Sequence, residues 1–216
     1  MKLALLGGSF NPLHIGHAML AETVVTELGY DTVLFVPAFI PPHKTFADAP
    51  SAQDRFNMTL SFCRNSAHFE ATDCEIARGG VSYTFDTVQF IIDKFKGILT
   101  EKPALIMGQE NAAEFDKWHR ANELVHIANI IIARRSESER VIDTAAFENK
   151  PTGSYTGGFD KGELVFPHAH VLLENPLLPI SSTDVRARIA SGKSWRYLVP
   201  ERVFQYIIKH KLYGYR

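Results

Sequence analysis

The stretch from Leu3 to His17, LALLGGSFNPLHIGH, constrains this chain more than any other. Leu3 to Leu6 is an unbroken apolar run that stops at Gly7-Gly8. A short apolar run without polar alternation predicts a strand buried on both faces, as in a parallel sheet covered by helices. Leu20, Val24, Val25 and Leu28 then recur at helical spacing, and Gly29 stands where a helix C-cap belongs. Val33 to Val36 is a second buried run, closed by Pro37. The chain therefore opens as strand, helix, strand.

The alternation continues. Phe56, Leu60 and Cys63 mark one helical face, and Phe85, Val88, Ile92 and Phe95 mark another. Ala104 to Met107 and Ile127 to Ala133 are further strand-like runs, and Val171 to Leu173 is a last one. Strands alternating with helices predict an α/β fold, a doubly wound and mostly parallel sheet with helices on both faces. Such sheets bind ligands at the carboxyl ends of their strands, so the motifs should cluster at the ends of the first, fourth and last core strands. From about 136 to 161 the periodicity gives way to polar residues and glycines, which reads as a surface excursion of one domain spanning 1–216. A helical portion occupies about 181–216, its final helix carrying Val203, Phe204, Ile207 and Ile208 on one face.

Composition excludes several classes. The formal net charge is −1, with both signs mixed along the chain, which argues against a nucleic-acid surface or a polybasic membrane anchor. The apolar run after Lys2 ends at Leu6, too short for a signal peptide, and nothing elsewhere approaches the ~20 apolar residues that span a bilayer. A cytoplasmic protein is expected. Cys63 and Cys74 are too few for a disulfide framework and match no zinc spacing, and Cys63 reads as a small buried thiol. Whether the chain forms a homo-oligomer is left open.

Two motifs carry chemistry. In GGSFNPLHIGH, Gly7 and Gly8 follow a buried strand, so backbone can approach a ligand with no Cβ in the way. Asn11-Pro12 turns the chain toward the next helix. His14 and His17 share one side of that helix start, with Gly16 leaving room between them. Two imidazoles beside the positive end of a helix suit negative charge developing on a phosphate. A glycine-rich turn alone is more often just a tight turn; H-x-G-H directly after strand-GGSFNP tips the balance to a site. In the second motif, ISSTDVRARI, Ser181, Ser182 and Thr183 are N-cap residue types, and Val185 and Ile189 supply a short helix's apolar contact. Its first N–H groups, with Arg186 one turn in, can hold a phosphate. One chain then has two anion sites for a polyphosphate.

G-x-F-N-P-x-H-x-G-H near one end and I-S-S-T-x-x-R near the other resemble the nucleotidyltransferase superfamily with the H-x-G-H signature. The resemblance covers nearly the whole chain and is closest to the bacterial nicotinate-nucleotide adenylyltransferases. VPAFIPPHK, SYTFDTV, MGQENAAEFDKWH and RYLVPERVFQYIIKHKLY look like further segments of that family. The resemblance implies an ATP site of Gly7, Gly8, Ser9, Phe10, His14, His17, Lys44, Ser181, Ser182, Thr183 and Arg186, with His14, His17 and Arg186 catalytic. It implies a mononucleotide site of Asn11, Thr84, Gly108, Glu110, Trp118, His119 and Arg134, with the Trp118 indole stacked on the pyridine ring and the His119 amide facing its substituent. Glu110 departs from the family's usual Asp. Thr84 can also cap the helix from Phe85.

By that resemblance, the 5′-phosphate of nicotinate mononucleotide attacks the α-phosphorus of ATP and pyrophosphate leaves. Both substrates are small molecules. A Mg²⁺ ion held mainly through substrate phosphates, not a protein cage, is expected. Nicotinamide mononucleotide is the first rival acceptor. Phosphopantetheine adenylyltransferases share H-x-G-H but are usually shorter and lack reason for the KWH and RYLVP segments. A non-catalytic nucleotide-binding module would be expected to have lost His14, His17 or Arg186.

Overall fold

A computed structural model describes residues 1–40, 50–134 and 166–216. Among them, six strands form one sheet: β1 (Leu3–Gly8), β2 (Thr32–Pro37), β3 (Phe69–Ala71), β4 (Ala104–Gly108), β5 (Asn129–Ala133) and β6 (Val171–Leu173). Their order is β3-β2-β1-β4-β5-β6, and every pairing is parallel. The order reverses between β1 and β4, which leaves a crevice at their carboxyl ends. Register brings Gly8 level with Pro37, and Gly108 level with Ala133.

Alternate residues of β1 feed two separate cores, because successive side chains of a strand point to opposite faces. Ala4 and Leu6 pack with α1 (Ile15–Leu28), α2 (Ala52–Cys63), α7 (Ser182–Ala190) and α8 (Glu201–His210), through Val24, Met58, Val185 and Val203. Leu3 and Leu5 pack on the other side with α3 (Cys74–Arg78), α4 (Thr84–Lys94), α5 (Gln109–Ala112) and α6 (Ala121–Ile127), through Val88, Ile91 and Leu124. Each such aliphatic side chain, fully buried, stabilises the fold by roughly 1.5–3 kcal/mol before entropy is counted. The sheet is therefore doubly wound, as the alternation of runs predicts.

Local signals behave as expected at the helix ends that matter. Gly29 closes α1 with φ 66°, a left-handed conformation that glycine reaches without steric cost. In α8, Val203 and Ile207 are buried one turn apart, while Phe204 and Ile208 pack at the core's margin. Two boundaries differ from the sequence reading. The run from Ile127 is strand only from Asn129, since α6 still holds Ile127. Thr84 is the first residue of α4 and Tyr83 its cap, one position earlier than expected. The surface excursion at 136–161 lies outside the described residues.

Candidate active site

β1 ends at Gly8 and the chain does not turn directly into α1. Residues 9–14 make a loop whose conformation is held from several sides. Phe10 adopts φ 43° and is buried, its ring edge-on to His17 at 5.1 Å between centroids. A positive φ is strained for a residue with a Cβ, so packing must hold it there. A Cβ on Gly8 would come within 3.2 Å of the Phe10 ring, whereas one on Gly7 would meet nothing within 4 Å. At Gly8 a side chain would therefore press on the Phe10 ring. The space before Gly7 is open, and the cleft lies there.

His14 caps α1, and its backbone N–H donates to Nδ1 of His17 at 3.2 Å. The two rings lie 3.8 Å apart at 32°. The intervening glycine serves this pair: a Cβ on Gly16 would sit 3.0 Å from the His14 ring and 3.2 Å from Ile180 Cγ2. An Nδ1 that accepts cannot carry the proton, so a neutral His17 ring carries it on Nε2.

The far motif meets this loop. Ser182 Oγ donates to Pro12 O at 2.9 Å, and Arg186 Nη1 donates to Asn11 O at 2.8 Å, across separations of 170 and 175 positions. Ser181 caps α7, its Oγ accepting from the Asp184 N–H at 3.1 Å. The N–H groups of Ser182 and Thr183 have no acceptor within the helix and point out of its positive end. Because the Ser182 hydroxyl proton is committed to Pro12, backbone N–H is what this residue can offer an anion.

Together these segments enclose a cleft of about 470 Å³ at the carboxyl ends of β1 and β4. Gly7, Gly8, Ser9, Phe10, Asn11, His14 and His17 line it from the β1–α1 segment, and Ser181, Ser182, Thr183 and Arg186 from the start of α7. Gly108, Glu110 and Arg134 line its floor from the ends of β4 and β5. Fourteen of the residues singled out from sequence therefore share one cavity. The side chain of Asn11 is 3% exposed and its Oδ1 has no hydrogen-bond partner among the described residues, which makes it a buried acceptor in the cleft wall. The Glu110 carboxyl folds over Gly108, where any Cβ would collide with it.

Trp118, His119 and Thr84 form a second group outside that lining. Trp118 is half-buried and packs on Phe115 at 5.5 Å. The His119 ring lies 4.5 Å from that of Tyr83, so the start of α4 and the Trp118–His119 segment are held together. Lys44 lies outside the described residues.

The cytidylyltransferase-like family model matches residues 5–188. A probable nicotinate-nucleotide adenylyltransferase of Treponema pallidum is 39% identical over 217 residues, covering 99% of each chain. Another, of Dehalococcoides mccartyi, is 34% identical over 215 residues and covers 99% of this chain and 97% of its own. The chain belongs to the cytidylyltransferase-like family, among its nicotinate-nucleotide adenylyltransferases. Its fold is shared by the Plasmodium falciparum nicotinic acid mononucleotide adenylyltransferase solved with NaAD, at TM-score 0.71 and 18% identity over 100% of this chain and 98% of that one.

In this family member, several cleft residues escaped the sequence reading. Asn175 is buried; its Oδ1 accepts from the Arg134 N–H at 2.9 Å and its Nδ2 donates to Arg134 O at 3.0 Å. It stitches the end of β5 to the segment after β6. Arg134 is further occupied by Leu173 O at 3.3 Å and by Glu174 at 3.1 Å. The one legible signal for Asn175 was the Asn-Pro pair in a loop after a strand, the same pair found at Asn11. Arg55, two elements away, donates to Ser9 O and carried no sequence signal at all.

Proposed function

We propose that this chain transfers the adenylyl group of ATP to nicotinate mononucleotide, giving deamido-NAD and pyrophosphate. The observation that carries this reading is the meeting of the imidazole pair with the α7 N-terminus. It gathers two sets of anion-binding donors into one cleft at the sheet's switch point. Family membership among nicotinate-nucleotide adenylyltransferases supports the choice of acceptor.

The attacking 5′-phosphate is already ionised at neutral pH, so no general base or covalent intermediate is needed. The protein's part is alignment and charge stabilisation. His17 donates from Nε2 to an oxygen of the reacting phosphates, and His14, capping the same helix, holds its partner's ring by the amide bond. The N–H groups of Ser182 and Thr183 take the phosphates from the start of α7, with Arg186 adding charge. Asn11 Oδ1 and the Glu110 carboxylate accept from ligand hydroxyls. Trp118 and the His119 amide receive the pyridine ring and its carboxylate, with Thr84 beside them; Lys44 belongs with the triphosphate. Arg134, tied to Glu174 and Leu173 O, shapes the floor near the mononucleotide.

Glu110 is the cleft's acidic side chain, and among the described residues no group of three or more His, Cys, Asp or Glu could hold a metal ion. That donor set fits Mg²⁺ carried on the triphosphate's own oxygens, where it would neutralise charge on the leaving pyrophosphate. Among the described residues no helix is long and apolar enough to cross a membrane. The reaction is proposed to run in the cytoplasm.

The test is direct. Protein, ATP and Mg²⁺ are offered nicotinate mononucleotide, nicotinamide mononucleotide or phosphopantetheine, and pyrophosphate release is followed. The first acceptor should be strongly preferred. Preference for either of the others would refute the acceptor, and no release with any of them would refute the reaction.

A further inference from the structure

Arg55 is 2% exposed, the largest side chain in the described residues to be so fully buried. It projects from α2 and does not line the cleft. Its Nη1 donates to Ser9 O at 2.7 Å and its Nη2 to Phe39 O at 3.1 Å. Ser9 belongs to the cleft loop, and Phe39 lies just beyond β2. The same two segments are joined again by the Ala38 N–H, which donates to Gly8 O at 2.9 Å.

Filling a core needs no guanidinium. Burial of a charge is costly, and burial lowers the Arg55 pKa even though Tyr213 and Glu75 draw it upward. What a guanidinium supplies that Met or Lys does not is a rigid planar fork, able to reach two carbonyl oxygens at once. Arg186 and Ser182 do the matching work on the other side, at Asn11 O and Pro12 O. The carbonyls of Ser9, Asn11 and Pro12 are thereby each engaged by a donor. A carbonyl oxygen turned toward a polyphosphate would repel it; an engaged one is held in place, and its negative end is offset by the donor.

We propose that Arg55 is a positioning residue for triphosphate binding, fixing the Ser9 carbonyl and coupling the cleft loop to the exit of β2. This rests on the cleft being the ATP site, but not on which acceptor is used. The Tyr213 hydroxyl is buried in the C-terminal turn, where burial raises its pKa and the charges of Arg186 and Arg55 draw it down.

The test compares Arg55→Lys and Arg55→Met with Thr59→Val. Thr59 is fully buried one turn along α2, and its Oγ1 donates to Arg55 O at 2.9 Å, so its loss destabilises the same helix and leaves the guanidinium in place. Affinity for a non-hydrolysable ATP analogue is measured by titration without acceptor, alongside thermal midpoint and steady-state constants. Arg55→Met should weaken analogue binding by roughly tenfold or more, the worth of a bond to a charged group. Arg55→Lys should recover part of that loss, KM for the mononucleotide should move little in either, and Thr59→Val should lower the midpoint with unchanged analogue affinity. Arg55 variants that lose only thermal stability, like Thr59→Val, would overturn the proposal. Should the Arg55 variants not fold, native-state hydrogen exchange of the wild-type protein decides: amides of 8–11 and 38–40 should open together, and separate opening would overturn it. A wild-type protein that binds the analogue but ignores nicotinate mononucleotide would defeat the acceptor assignment and leave this comparison standing.

Discussion

The bond from the His14 amide to His17 Nδ1 does more than close the first turn of α1. By fixing which nitrogen of a neutral ring is protonated, it presents Nε2–H as a donor that needs no rearrangement when charge builds on a phosphate oxygen. Removal of one such preorganised donor typically costs about 10²–10³ in rate. His17→Ala should therefore lower kcat by that order while leaving analogue affinity within a few-fold, read by steady-state kinetics and titration. A normal kcat would remove His17 from the reaction. Trp118 makes a different prediction. It stands apart from the cleft lining and packs only partly, against Phe115. Loss of the indole forfeits ring stacking worth about 0.5–1.5 kcal/mol plus buried area, so Trp118→Ala should raise KM for the mononucleotide roughly tenfold and leave KM for ATP unchanged. Equal changes in both constants would mean that the indole only supports the fold.

Elements explain why two distant motifs were readable and what lay between them was not. β1, β2 and β4 are continuous apolar runs with turn residues after them, so buried parallel strands were legible from composition alone. β3 and β6 are both three residues long at the sheet's edges; β6 is a wholly apolar Val-Leu-Leu and was legible, whereas β3 reads Phe-Glu-Ala, with a charge in its middle, and went unread. The same holds for the site. Glycines, paired histidines and a serine-rich cap announce themselves because their chemistry depends on local spacing. Arg55 and Asn175 act across 46 and 41 positions, through bonds that only the folded chain brings within reach. The α7 cap lies between these cases, visible in sequence and testable in the fold. Ser181→Ala removes the side-chain acceptor for the Asp184 N–H, a loss of about 0.5–2 kcal/mol. Because the same turn supplies one set of anion donors, thermal stability and analogue affinity should both fall. Affinity unchanged in the face of a lowered midpoint would show that the α7 terminus plays no part in binding.

At the scale of the whole molecule, two cores on opposite faces of one sheet also set how stability responds to pH. Cys63 lies in the core shared by α1, α2, α7 and α8 and is 2% exposed. Burial pushes its thiol up to about 12. An unfolded chain would release that proton near the ordinary thiol value, about 8.5. Between those values the unfolded state binds fewer protons than the folded one, so stability must fall as pH rises. The slope from this one group approaches about 1.4 kcal/mol per pH unit once the unfolded thiol is largely ionised. Below pH 8 both states hold the proton and the contribution is flat. Cys63→Ala pays a packing cost that does not depend on pH, but it abolishes the titration. Urea unfolding of both proteins should therefore show wild type the more stable at pH 7.5, with the gap shrinking steadily between pH 9 and 11. Cys74 and Tyr213 are raised by burial as well and remain in the variant, so its own alkaline decline should be shallower than the wild type's but not absent. A gap independent of pH would show that the thiol ionises alike in both states, and that this core admits water where the packing says it does not.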